Sequence, residues 1–472
     1  MKRTSMETKS AGDMAKGAGL SIQFLGASGM VTGSKYLVET PGMNILVDCG
    51  LCQGDHHSRA LTWEKPPVDI PAIDMVLLTH GHLDHVGYLP RLVKAGFGGR
   101  ILATGPTIEI ATIILKDTAK IQEETAERAN RDGYSKHKPA HPLYDLADVD
   151  LTVPHFQEVE EGAWHKLSET IQVRFQYVGH ILGATFIELD VAGKRIVFSG
   201  DVGRQEDILL YPPKRPERAD VLLIESTYGD WVHRNEEDMV TRLAEVVNET
   251  IKRGGSLVIP SFAVERTQLI MLVLWRLLED KAIPRVPMII DSPMGVNVLD
   301  VFHHTRAWHK LKEEECTRIC AYFRRTTHYK ETLQLRADNE PKIVIAGSGM
   351  VTGGRILNYL EYRSTNVNDT LLFVGYQAEG TKGRALLEGA NTLRVYGKEV
   401  PFTMQVRKIN GLSAHGDRND LLWWSELIKE VTDKVFIVHG EDGPREAFKK
   451  ELLEQRGWTA ELPKLNERIN II

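Results

Sequence analysis

Five short apolar runs in this chain end on an acid or an imidazole: Asn44-Ile-Leu-Val-Asp48, Met75-Val-Leu-Leu-Thr-His80, Arg195-Ile-Val-Phe-Ser-Gly-Asp201, Val221-Leu-Leu-Ile-Glu225 and Val435-Phe-Ile-Val-His439. Runs of four to six β-rich apolar residues bounded by turn signals read as buried strands. A sixth strand shows by alternation, with Ile171, Val173, Phe175 and Tyr177 apolar and polar residues between them; it leads through Gly179 to His180. In open α/β sheets ligands bind beyond the strand ends, where these acids and imidazoles would gather. The cadence predicts an α/β fold, with the polar tips of one sheet's strands forming a site.

The densest chemistry is His80-Gly-His82-Leu-Asp84-His85. Ligand spacings of two, two and one do not describe one face of a helix. In an extended loop residues two apart share a side, so His80 and His82 can address one metal. Asp84 and His85, turning into a helix near Val86, can address another. Two metals need more ligands, and the strand-end residues His180, Asp201, Glu225, His415 and His439 are the natural suppliers. Asp201 could bridge both metals with its two carboxylate oxygens. Two metals held by imidazole and carboxylate generate hydroxide near neutral pH and clamp both oxygens of an in-line phosphoryl displacement. Such ligands suit zinc first, with Mn2+ or Fe2+ as alternatives. The other eleven of the 17 histidines, His56-His57 and His303-His304 among them, follow no strand-end rule and read as surface or structural.

Composition narrows the classes. Hydrophobic residues are 42% and charged residues 26% of 472, ordinary for a globular protein with a sizeable core. Lys and Arg number 58 against 64 Asp and Glu, a net −6, which excludes nucleic-acid binding by bulk charge but not a local basic cleft. The longest apolar run, Leu269 to Trp275, is far short of the ~20 residues a membrane span needs. Residues 1–18 read as a flexible tail with no apolar signal-peptide core. Four cysteines cannot build a disulfide framework, which predicts a cytoplasmic protein. Cys49/Cys52 and Cys316/Cys320 could form a structural zinc site only by meeting across the fold; idle thiols are the simpler reading.

After Trp231 amphipathic helices (236–252, 265–279, 354–362) alternate with strands (256–260, 286–290, 342–346, 371–374), a second α/β unit inserted into the first. Segment 116–150 reads as an irregular helical excursion without assignable chemistry. The hexapeptide Ser-Gly-Met-Val-Thr-Gly stands at 28–33 and 348–353 with unmatched flanks, two separate Gly loops.

These motifs, in this order, resemble the metallo-β-lactamase fold: Asp48, then His80-x-His82-x-Asp84-His85, then His180 and Asp201. Glu225 in Glu-Ser-Thr-Tyr-Gly, His415 in Ser-Ala-His-Gly-Asp and His439 in Val-His-Gly-Glu resemble the three further motifs of its β-CASP nucleases. That family includes the pre-mRNA 3′-end cleavage endonuclease subunit, its archaeal and bacterial relatives, and ribonuclease J. The resemblance implies an αββα metallo-β-lactamase sandwich in two segments, 19–228 and 396–472, around an α/β β-CASP domain at 229–395. It implies one Zn2+ on His80, His82 and His180 and a second on Asp84, His85 and His439. Asp201 and a hydroxide would bridge them, and Asp48 would orient the ligands. Glu225 would hold His415, which would protonate the leaving 3′ oxygen. The implied activity is cleavage of single-stranded RNA to 5′-phosphate and 3′-hydroxyl ends, as an endonuclease before a 5′-to-3′ exonuclease. His at 439 accompanies RNA-cleaving members. Homodimerisation is implied by relatives alone.

The insert's Gly- and Ser-rich strand ends offer Ser261, Arg266, Ser348, Gly349 and Arg355 as phosphate contacts, together with the loop Gly375-Tyr376-Gln377 to Lys382. Two other readings stand beside the ribonuclease. One is a hydrolase of the same fold acting on a small ester or phosphodiester, for which the insert and the His415/Glu225 pair are superfluous. The other is an inactive RNA-binding scaffold, which would be expected to have lost ligands.

Overall fold

A computed structural model describes residues 19–471 apart from 55, 134, 136, 234–235, 376, 378–379, 410 and 412. The expected tail at 1–18 and Tyr376 lie outside the described residues, as do the side chains of His56 and His57. Two seven-stranded sheets and one of six carry the fold. The first runs, in spatial order, Arg468–Asn470, Ser21–Phe24, Tyr36–Glu39, Asn44–Val47, Met75–Leu77, Arg100–Ala103, Phe156–Glu158. The second runs Ala460–Glu461, Val431–Ile437, Ala219–Ile224, Lys194–Phe198, Thr185–Val191, Ile171–Tyr177, Trp164–Lys166.

Side-chain alternation decides how the two sheets stack. Ile45 and Val47 point with Phe24, Val38 and Leu77 into one apolar layer, which they share with Val173, Phe175, Leu189, Phe198, Leu223 and Phe436 of the second sheet. The intervening Leu46, with Val76 and Ile101, faces outward onto helical residues Leu89, Leu92, Ala111 and Leu115. On the far side Val197, Leu222 and Ile437 meet Leu421, Trp424, Phe448 and Leu452. The result is helix, sheet, sheet, helix: a sandwich whose inner strands are apolar on both faces, as buried parallel strands must be.

The third sheet, all parallel, runs Arg324–Arg325, Met288–Asp291, Ile343–Ala346, Leu257–Pro260, Thr370–Phe373, Gln405–Lys408. Helix Arg266–Glu279, nearly all buried, lies in the cluster on one face, and Ile356, Tyr359 and Leu360 cover the other. Its last strand lies beyond residue 395, where the alternation was expected to end. None of the described helices is long and apolar enough to cross a membrane. The four cysteines are free thiols, and among the described residues none joins a metal-competent cluster.

The structure corrects two expectations. Residues 116–132 are not irregular: they finish one 28-residue helix, Gly105–Asp132, closed by Gly133 in the left-handed conformation. Its buried stripe ends in Ala119, Ala126 and Ala129, small residues that hide the 3.6-residue period from a hydropathy reading. The polar-tipped strands also do not share one sheet. Asp48 and His80 follow strands of the first sheet, His180, Asp201, Glu225 and His439 follow the second, and His415 comes after the last strand of the third. Strands 44–47 and 75–77 are parallel, as are 194–198, 219–224 and 431–437. Strand 171–177 runs the same way as 194–198, with one antiparallel strand between them. The stacked sheets therefore present their C-terminal strand ends at a common edge.

Candidate metal centre

Backbone geometry aims the ligands. Asp48, His180 and His439 each take positive φ (58°, 60° and 48°), conformations that non-glycine residues adopt at a cost of order 1–3 kcal/mol. Behind the histidine loop, a Cβ on Gly50 would lie 1.5 Å from the Asp84 carbonyl oxygen, and behind His180 one on Gly203 would lie 2.2 Å from the His180 nitrogen. Only glycine lets these segments close on the ligand loops.

The converging atoms form two sets. In the first, His80 Nε2 lies 3.2 Å from His82 Nδ1, and that nitrogen 3.1 Å from His180 Nε2. Asp201 Oδ2 lies 3.4 Å from His80 Nε2 and 3.3 Å from His180 Nε2. In the second, His85 Nε2 and His439 Nε2 are 3.2 Å apart. Asp201 Oδ1 is 3.3 and 3.5 Å from them, and Asp84 Oδ2 3.9 and 3.4 Å. Tetrahedral coordination with bonds of about 2.0–2.1 Å has ligand–ligand edges of about 3.3 Å. Both sets match that spacing, and Asp201 gives one oxygen to each. Asp201 Oδ1 has no hydrogen-bond donor although buried, which is the condition of a carboxylate waiting for a cation. The donors fit a divalent metal.

Outer groups fix which nitrogen faces inward. The Thr79 N–H and hydroxyl donate to Asp48 (2.8 and 2.9 Å), so the hydroxyl oxygen is left to accept from His80 Nδ1 at 3.1 Å. His85 Nδ1 donates to Asp48 Oδ2 at 2.7 Å. The Thr227 hydroxyl donates to the His439 carbonyl and faces His439 Nδ1 at 3.1 Å. In each case the Nε2 lone pair is turned to the centre, the arrangement metal-binding imidazoles need. Sequence reasoning missed Thr79 and Thr227. Both sit inside quoted motifs, Thr79 immediately before His80 and Thr227 two residues after Glu225.

Electrostatics divides the histidines. Burial lowers the pKa of His80 and His180 well below the usual imidazole value and that of His82 to about 4, with neighbouring imidazoles adding to the effect at His80 and His180. These three are neutral and ready to bind. Burial also works against protonation of His85 and His439, but the Asp201 carboxylate, joined by Asp48 at His85, outweighs it and raises both. Burial raises Asp201, yet His439, His85 and His80 together hold it well below the carboxylate range.

His415 and Glu225 stand beside the first set. His415 Nδ1 is 3.2 Å from Glu225 Oε1, and its Nε2 is 3.9 Å from Asp201 Oδ2. Glu225 is fully buried and accepts the N–H groups of Val202 (2.6 Å) and Thr227 (3.2 Å), so its orientation is fixed. Burial would lower the His415 pKa; Glu225 and Asp201 carry it up to about 9.

The expected phosphate contacts gather at the C-terminal end of the third sheet, because strands 257–260 and 343–346 pair as Pro260↔Ala346. The Ser261 hydroxyl donates to the Phe262 carbonyl, Ser348 pairs with Thr352, and Gly349 packs against the Phe262 ring. Arg266 donates to the Val374 carbonyl at 2.7 Å. Arg355 departs from expectation. Its guanidinium is committed to buried Asp291 (2.7 Å), Thr332 (3.0 Å) and the Thr327 carbonyl (2.9 Å), so a structural ion pair replaces a cation free for phosphate. The two Gly loops are distinct: the Ala27 carbonyl, next to the first, accepts the His439 N–H at 2.8 Å, and the second follows strand 343–346.

Comparison with known proteins agrees with this geometry. The Metallo-beta-lactamase superfamily model matches residues 29–251, the Beta-Casp domain model residues 267–386, and the Zn-dependent metallo-hydrolase RNA specificity domain model residues 399–463. Ribonuclease TTHA0252 of Thermus thermophilus is 33% identical over 460 residues, 94% of this chain and 99% of its own. Transcription termination factor FttA of Methanocaldococcus jannaschii is 31% identical over 459 residues, 92% of this chain and 70% of its own. A solved protein of unknown function from Enterococcus faecalis shares the fold at a TM-score of 0.52 and 15% identity, over 96% of this chain and 100% of that one. With a relative one-third identical along nearly its whole length, and with both donor sets intact, the chain belongs to the β-CASP family of metallo-β-lactamase-superfamily hydrolases.

Proposed function

We propose that the protein is a zinc-dependent endoribonuclease that cuts single-stranded RNA and leaves 5′-phosphate and 3′-hydroxyl ends. One observation carries the reading: Asp201 divides its oxygens between two metal-sized donor sets while the His415–Glu225 pair stands against the same carboxylate. Support for RNA comes from the name of the Thermus relative and from the RNA specificity domain matched at 399–463. In this reading residues 19–228 and 396–472 form the catalytic unit, and 229–395 form a lid that also takes strand Gln405–Lys408 from the returning chain.

The first set, with three neutral imidazoles, would hold one Zn2+, and Asp84, His85 and His439 a second. Bound there, the pair supplies Lewis-acid charge and a nucleophile at neutral pH. The protein's own residues do the rest. Asp48 and Thr79 keep the ring nitrogens turned inward. Glu225 accepts from His415 Nδ1 and favours the protonated ring, so His415 Nε2 would carry the proton that the leaving 3′ oxygen requires. Ser261, Ser348 and Gly349 would meet phosphate from the lid side. The −6 net charge poses no obstacle, because two divalent ions add positive charge where the polyanion lies.

The test is a time course on single-stranded RNA labelled at either end, beside its DNA analogue, with zinc-loaded wild type and Asp84→Ala. RNA-only internal cuts by wild type, absent in the variant, are the expected result. Undiminished cleavage by the variant would remove the metal mechanism. Hydrolysis of a chromogenic phosphodiester without RNA cleavage would move the assignment to a small substrate.

A further inference from the structure

Where the inserted unit meets the first, residues of both line an open cleft of about 390 Å³ that none of the expected contacts occupies. Its floor is the first turn of helix Gly105–Asp132. Glu109 and Glu158 line it from the first unit, and His304, Arg306 and Trp308 from the insert. His304 Nε2 joins the Glu109 carboxylate at 2.9 and 3.0 Å, so a bond between the two units forms one wall. Trp308 packs on Tyr177, with ring centres 5.6 Å apart, and its carbonyl accepts the Tyr177 hydroxyl. Glu158 ends the edge strand of the first sheet, and its Oε1 would lie 2.6 Å from a Cβ on Gly105.

The cavity backs onto both ligand loops. The Gly183 carbonyl, three residues after His180, accepts the hydroxyls of Thr104 (2.7 Å) and Thr107 (2.8 Å) in the same first turn. One turn on, Ile110 packs against Gly81, between His80 and His82; a Cβ there would be 2.7 Å from its side chain. The first two turns of helix Gly105–Asp132 thus link this space to the ligand loops, with Gly105, Pro106, Ile108 and Glu109 on its side and Thr107 and Ile110 on theirs.

We propose that this cavity is a nucleobase subsite that selects bases carrying an exocyclic amine. The inference rests on the ribonuclease reading and names which base of that substrate this space would take. The volume is near the lower end for small-ligand sites and suits one nucleoside. Trp308 supplies the aromatic surface on which an unstacked base settles, and interfaces between two units are a preferred location for such pockets. The Glu158 carboxylate decides which base, since both Glu109 oxygens already face His304. It accepts hydrogen bonds and donates none, so it pairs with the amino groups of adenine, cytosine and guanine. Uracil has no exocyclic amine and would turn carbonyl oxygens toward Glu158.

The test pairs cleavage with binding. End-labelled adenine-tract and uracil-tract RNAs are compared on zinc-loaded wild type, Trp308→Ala and Glu158→Gln. Adenosine and uridine are titrated into the metal-free proteins and followed by saturation-transfer NMR. Wild type is expected to favour the adenine tract roughly tenfold, mostly through KM, and to bind adenosine over uridine; Trp308→Ala should lose both preferences. Glu158→Gln, an exposed and conservative change that leaves the fold intact, should narrow the adenine–uracil difference while keeping stacking. Equal handling of the tracts with no nucleoside preference overturns the subsite and leaves the ribonuclease standing. A preference that persists unchanged in both variants also overturns it. If no RNA is cut, the ribonuclease reading fails, and adenosine binding that disappears in Trp308→Ala still decides for the site.

Discussion

Asp201 and Asp291 both follow or end buried strands, and both are sealed from solvent, at 1% and 0% exposure. Their surroundings differ. Asp291 Oδ1 accepts from Thr326, Thr332 and Arg355, and its Oδ2 from the Tyr359 hydroxyl, so donors from four side chains neutralise it within the inserted unit. Asp201 faces the imidazole nitrogens of His80, His85, His180 and His439, and among the described residues its Oδ1 has no hydrogen-bond donor. A buried charge needs compensation. Where the chain supplies fixed donors, the carboxylate is structural; where it supplies ionisable imidazoles and leaves one oxygen without a donor, a cation would complete the site. Burial alone does not separate the two cases, but the inventory of donors does.

The largest effects should fall on the first carboxylate. Asp201→Asn is expected to lower cleavage by at least about a thousandfold, the several kcal/mol that metal-held charge contributes to such reactions, with bound metal reduced and the melting temperature of the metal-free protein unchanged. Loss of fold in this variant would break the comparison. His415→Gln should cost about 10²–10⁴ in kcat, the usual range for general acid catalysis, with metal content unaltered. Asp291→Asn should do the opposite of Asp201→Asn. It takes the charge partner from the partly buried Arg355 guanidinium and leaves the surrounding donors mismatched, about 3 kcal/mol of destabilisation in denaturant titration, with activity per folded molecule nearly intact. Asp48→Asn lies between these extremes: by weakening the hold on His85 and Thr79, it should reduce metal affinity about 10–100-fold.

The same contrast explains what could be read from the chain. His80, His82, Asp84 and His85 are legible because four ligand-type residues in six have no simpler use, and Asp201, Glu225 and His439 because each tips an apolar run. Their strands pair almost where the apolar runs place them. That the tips come from different sheets was not legible, because period-two patterning tells which face a residue takes and nothing about which sheet lies opposite. Arg355 illustrates the other limit. An Arg after a Gly-rich turn has the same local pattern whether it meets phosphate or Asp291, 64 residues away in sequence. Trp308 and Glu158 carry no motif, and only the closure of the insert brings them together.

Glu265 sharpens the comparison with a third way to bury a carboxylate. It precedes helix Arg266–Glu279 at a φ of 62°, is 1% exposed, and its Oε1 has no hydrogen-bond partner. Burial, with Asp207 adding and Arg266 opposing, pushes its pKa from 4.5 up to about 8, so the group keeps its proton where Asp291 is paired and Asp201 awaits a cation. The sign follows from linkage. Between pH 4.5 and about 8 the folded chain holds a proton that the unfolded chain has released, so stability from this group is fully present below 4.5 and is lost as pH rises through about 8. Glu265→Gln places an uncharged amide of the same shape there and removes that slope. Denaturant midpoints measured across the window should show wild type losing ground to the variant as pH rises, with a constant gap above pH 8. Parallel curves would mean that Glu265 ionises freely and that its charge is compensated in the fold, as that of Asp291 is.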